Sequence, residues 1–170
     1  MNRYMLFKMD QFQNDHLFFI LFVDILKTAA TIQDNYDAFR KVIGVDFHPL
    51  EITLHMRQKD SILWEKINES ALLWGILFGF GKINSYLFQW QHFDHPETTS
   101  EFCKNIVSFT NDDLLKGRVK YTIDQFSIPA FKSFNEIDPV VNNFREEKNR
   151  IQEIYKGQDF LQLTLKKLTE

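Results

Sequence analysis

A single cysteine, Cys103, stands in a chain of 170 residues. No intramolecular disulfide can form, so the fold must hold by its core, and the compartment expected is a reducing, cytoplasmic one. Prolines number four and glycines six, too few for a disordered chain or a many-turned β-sandwich. Basic charge is also scarce. Twenty Lys and Arg against 23 Asp and Glu leave a net charge of −3, and no basic run is interleaved with aromatics. That excludes the electrostatic footprint of a nucleic-acid-binding protein. An export signal is not expected either, because Asp10 and Asp15 precede the short apolar run 17–23, which ends in Asp24 without a small-residue cleavage site.

Phenylalanine is abundant, with 18 in the chain, and hydrophobic residues make up 44% of it, enough for a proper core. The chain is organised around Ala71 to Trp90, whose one charge is Lys82 and which holds Gly75, Gly79 and Gly81. Up to Phe80 it is apolar on every helical face, the mark of a buried helix. Gly75 and Gly79 fall on one face and would admit a close neighbour. Two other readings fail. A phosphate loop needs four residues between its glycines and Ser or Thr after the lysine, whereas five residues separate Gly75 from Gly81 and Ile83 follows Lys82. A membrane span of ~20 residues would carry Lys82 near its middle, at a cost of roughly 3 kcal/mol.

The remaining elements follow from periodicity. The apolar run 17–23 reads as a strand buried on both faces, and Asp24 as a helix start. Ile25, Ala29, Ile32, Tyr36, Phe39 and Ile43 form one helical stripe that Gly44 ends. Leu50, Ile52, Leu54 and Met56 alternate with polar residues and predict a half-buried strand. Pro49 would equally suit the first turn of a helix. Asp60 or Ser61 starts a helix with Ile62, Trp64, Ile67 and Ala71 inward, running into the central stretch, which Gly79 and Gly81 kink or split. Beyond them Ile83, Leu87 and Trp90 are expected on one side. Ser100 is read as the cap of a helix carrying Phe102, Cys103, Ile106 and Phe109. Val119 to Ala130 alternates as two strands that Gly117 precedes. Asp138 and Pro139 start a long helix with Val140, Val141, Phe144, Ile151, Ile154 and Tyr155 inward, closed by Gly157. Asp159 caps a last helix with Phe160, Leu161, Leu165 and Leu168 on one side. The fold class expected is α+β, a predominantly helical single domain over 1–170 with a small antiparallel β-sheet packed on a central buried helix.

Candidate chemistry is sparse. His92 and His95 could bind a metal with Glu97 or Cys103 as third ligand, but Pro96 breaks the geometry and no third ligand is firm, so no metal or other cofactor is expected. His16 beside Asp15, the lone His48 and His55, and serines 61, 70, 85 and 108 lack a nucleophile or base context. The most site-like feature is the polar exit of the central helix, where Gly79, Gly81, Lys82, Asn84, Trp90 and His92 are expected to bind a ligand. The competing structural account has Lys82 reaching to solvent, Asn84 satisfying broken backbone, and the aromatics in the core. Leu73 to Phe88, with its core from Gly75 to Asn84, resembles a motif in uncharacterised small proteins of host-associated bacteria. The resemblance covers a tenth of the chain and implies only that Gly75, Gly79, Gly81, Lys82 and Asn84 matter together.

The phenylalanine excess favours a non-enzymatic binding or accessory protein that engages a protein partner or an apolar small ligand. The alternative is a small hydrolytic or metal-assisted enzyme with its site near Lys82 to His95. Self-association is compatible with either reading.

Overall fold

The computed structural model describes residues 3–9, 19–58, 60–94, 105–107, 131–133 and 137–169. The fold is α+β and mostly helical. The chain divides into two compact units, Met1–Pro96 and Glu97–Glu170.

The first unit opens with an antiparallel hairpin, β1 (Tyr4–Met9) and β2 (Phe19–Asp24), in register from Tyr4 opposite Asp24 to Met9 opposite Phe19. The amino-terminal residues show no clear period, and β1 is a strand the sequence did not announce. The hairpin is covered on one face only. Met5 and Val23 are buried against Leu50, Leu54 and Met56, while Leu6, Ile20 and Phe22 stand exposed. The expectation that the run 17–23 is buried on both faces is therefore corrected. An all-apolar run looks the same whether one or both faces are covered.

Asp24 ends β2 and caps α1 (Ile25–Asp34), its carboxylate accepting from Lys27 N at 3.1 Å. The stripe that reads as one helix is two, because Asn35 interrupts it before α2 (Tyr36–Ile43). Asn35 Nδ2 donates to Thr31 O at 2.9 Å and so satisfies a carbonyl the break leaves open. The interruption is one residue long and keeps the face, so Ile32, Phe39 and Ile43 are all fully buried. Gly44, at φ 84°, ends α2, and Lys66 Nζ donates to the carbonyl of Ile43 at 2.6 Å.

Pro49–His55 is helix α3, not a strand. Residues two apart on a helix lie about 200° apart. Ile52 faces the helical core, and Leu50 and Leu54 face the hairpin. A short helix wedged between two clusters thus produces the alternation of a strand. Pro49 supplies its first turn, and Thr53 Oγ1 donates back to Pro49 O at 2.9 Å.

Ser61 caps α4 (Ile62–Asn68), accepting from Trp64 N. Trp64 and Ile67 are buried as expected, but Ile62 is 70% exposed. The helix does not run on. Ser70 starts α5 (Ala71–Leu77), its Oγ accepting from Leu73 N at 3.3 Å. Leu72, Leu73 and Ile76 join Ile32, Phe39, Ile43, Ile52, Trp64 and Ile67 in the main core. This is the central buried helix.

In the second unit β3 (Asn105–Val107) pairs antiparallel with β4 (Phe131–Ser133). The helix expected around residues 102–109 is corrected at 105–107, where the backbone is a strand. The expected cap at Ser100 and the strands expected between Val119 and Ala130 lie outside the described residues. Asp138 starts α7 (Pro139–Tyr155), accepting from Val140 N at 2.8 Å and from Ser133 Oγ at 2.7 Å. Val141 faces in, while Ile154 is exposed. Gly157 follows with φ 70°, and Asp159 caps α8 (Phe160–Thr169) through Gln162 N. Phe160, Leu161, Leu165 and Leu168 form the expected row but stand exposed.

Candidate functional site

The central stretch splits at its glycines. Gly79, at φ 77°, and Gly81, at φ 87°, occupy backbone regions that side chains other than hydrogen rarely enter. Phe80 N donates to Gly75 O at 2.9 Å and Gly79 N to Ile76 O at 3.0 Å, a Schellman closure of α5. Helix α6 (Lys82–Gln89) then folds back antiparallel, since Gln89 Oε1 accepts from Leu72 N at 3.3 Å. At Gly75 the two helices approach closely. A Cβ there would run into Ser85, with Ser85 Cβ only 2.9 Å away.

In α6 Asn84 and Ser85 are buried, Leu87 and Trp90 are half-buried, and Ile83 is 65% exposed. Asn84 Nδ2 donates to Phe80 O at 2.9 Å, and Ser85 Oγ to Gly81 O at 2.8 Å. Small polar side chains that bond the backbone one turn earlier can be buried where a large apolar one would not fit. Helix α6 continues into one π-helical segment, Trp90–Asp94.

The six residues singled out in the sequence do not converge. Gly79, Gly81 and exposed Lys82 lie at the start of α6. Half-buried Trp90 and exposed His92 lie at its far end, about 12–15 Å along the axis at 1.5 Å per residue. Asn84 is committed to the turn backbone. The His92 ring packs on Phe88 with centroids 4.4 Å apart. His95, Glu97 and Cys103, the rest of the metal reading, lie outside the described residues. Among the described residues no three His, Cys, Asp or Glu side chains are grouped to hold a metal ion. No helix among them is long and apolar enough to cross a membrane.

What the first unit does contain is a cleft of about 890 Å³ between the hairpin and α4. Phe7 and Leu21 come from the inner face of the hairpin, and Met56 from the end of α3. Trp64 and Trp74 complete its apolar lining. Trp64 is pinned, since its Nε1 donates to Ile52 O at 2.6 Å. Trp74 is half-buried, 6.0 Å from the Trp64 ring and stacked on Phe78 at 5.3 Å. Phe78 in turn lies 5.8 Å from Phe80. A row of four rings thus joins the cleft to the glycine turn, and Phe78 is half exposed. The polar lining is mixed: Lys8 and Arg57 against Asp60, Glu65 and Glu69. Asn68 also lines the cleft, and its Oδ1 is buried without a hydrogen-bond partner. Such an atom costs about 1–3 kcal/mol unless something donates to it.

The sequence reading missed this cleft. The only local signal is the spacing of Ser61, Glu65, Asn68 and Glu69, which share one face once α4 is assigned. Nothing local says that the hairpin stands opposite. Comparison with known protein families, with curated sequences and with solved structures finds no match.

Proposed function

We propose that the protein is a non-catalytic, cytoplasmic binding protein, and that it takes a small ligand with an apolar body in the cleft between β1–β2 and α4. The cleft itself carries the reading. Its volume of about 890 Å³ lies within the range of small-molecule sites, and its lining of five apolar side chains, three of them aromatic, among eight polar ones offers a ligand both an apolar surface and polar contacts. Trp74 is the natural platform, half-buried, held on both sides by other rings, and part of the cleft lining. A hydrolytic role near Lys82 to His95 has less support, because Lys82 and His92 lie at opposite ends of α6. Engagement of a protein partner draws support from the exposed hairpin face of Leu6, Ile20 and Phe22, although three side chains fall far short of the roughly 800 Å² per partner of a stable interface.

The test is saturation-transfer NMR with 2-phenylethanol on the wild-type protein and on Trp74→Ala. Transfer to the phenyl protons should be seen with the wild type and lost in the variant. Equal transfer in both proteins would remove the cleft as the site.

A further inference from the structure

The cleft's polar groups are sorted by element, and the sorting points to the charge of the ligand. Helix α4 and its C-terminal residue contribute Glu65, Asn68 and Glu69. All three present oxygen acceptors, two of them carboxylates. Asn68 Oδ1 is buried and lacks a donor. The two cations of the lining, Lys8 on β1 and Arg57 beyond α3, come from other elements. Glu65 and Glu69 are four apart on one helix, a like-charge pair that is mildly destabilising when nothing positive lies between them. Neither forms a salt bridge among the described residues. Beside this acceptor wall stand Trp64 and Trp74, and an indole face attracts cations through its quadrupole. Two carboxylates without a salt bridge and an indole platform meet in one cleft. Each is relieved or engaged by the same kind of group.

Resting on the proposal that the cleft is the binding site, we infer that its ligand is a small organic cation. The ligand carries an apolar body against Trp74 and a protonated primary amine beside Glu65 and Glu69. A carboxylate ligand beside Trp74 would meet Glu65 and Glu69 with the wrong sign, and a neutral ligand would gain nothing from their charge.

Three probes of one shape test this by titration calorimetry: 2-phenylethylamine, 2-phenylethanol and phenylacetate. The amine should bind at least tenfold more tightly than the alcohol, and phenylacetate most weakly. Glu65→Gln with Glu69→Gln should erase the preference for the amine and leave the alcohol unchanged. Both side chains are exposed, so the variant should fold as the wild type does. Equal binding of amine and alcohol, untouched by the double variant, would overturn the cation inference and leave the cleft standing. Binding of none of the three, or binding that Trp74→Ala does not weaken, would overturn the cleft reading and this inference with it.

Discussion

Helices α1–α2 and α8 carry the same kind of apolar stripe and meet opposite fates. Ile32, Phe39 and Ile43 are spaced seven and four apart and are wholly buried. Leu161, Leu165 and Leu168 are spaced four and three apart and stand 66%, 55% and 39% exposed. The first stripe meets α3, α4 and α5, whose Ile52, Ile67 and Leu73 close over it. Against the second stands Tyr155 of α7, which bonds Thr164 Oγ1 at 3.0 Å and packs on Phe160. A stripe is a property of one helix. Its burial is a property of what comes to cover it.

The largest test of that contrast is Phe39→Ala against Leu165→Ser. Phe39 should cost about 3–5 kcal/mol, as large core truncations do. Leu165 should stay within roughly 0.5 kcal/mol, as exposed substitutions do. Urea denaturation of both variants measures the difference, and a comparable loss for Leu165 would show that its face is covered.

A second test concerns how closely helices pack in the buried region. Gly75→Ala should gain helix propensity yet destabilise by about 1–3 kcal/mol, because the new methyl group overpacks Ser85. Adding Ser85→Gly should restore part of the loss, since both clashing atoms of that side chain go. Additive losses in the double variant would contradict the close approach.

In the second unit, stability should concentrate at the start of α7 rather than along α8. Asp138→Ala removes a cap and the carboxylate that accepts from buried Ser133 Oγ at 2.7 Å. The expected cost is about 2 kcal/mol, with faster amide hydrogen exchange in the first turn of α7. Exchange confined to α8 would reverse the assignment.

The smallest effect has the opposite sign. Asn68→Leu removes a buried acceptor that nothing satisfies, and should raise the stability of the ligand-free protein by about 1 kcal/mol. A fall in Tm of that size would mean that Asn68 Oδ1 is satisfied in solution.

Much of the fold was legible residue by residue. Asp24, Ser61, Asp138 and Asp159 read as caps and are caps, each accepting a backbone N–H within three residues. Gly44 and Gly157 read as stops and adopt positive φ. The split at Gly79 and Gly81 stood as one of two expected outcomes. The misreadings share one cause. The alternation at Leu50 to Met56 looked like a strand because α3 is buried on two sides. The burial of Ser85 and not Ile83 in α6 was not foreseen, because it depends on Gly75 letting Ser85 meet α5. The candidate ligand residues were chosen as a run along the chain, and α6 holds that run apart at its two ends.

By itself, then, the sequence determined where helices start and stop, and which stripes are apolar. Those are matters of φ, of a side chain reaching its own backbone, and of a 3.6-residue repeat, all settled within a few neighbours. Tertiary structure alone decided which stripes are covered, which way α6 faces, and that Trp74, Asn68 and Glu65 share a cleft with Phe7. These depend on the arrival of elements distant in sequence, and burial free energy belongs to the pair of surfaces that meet.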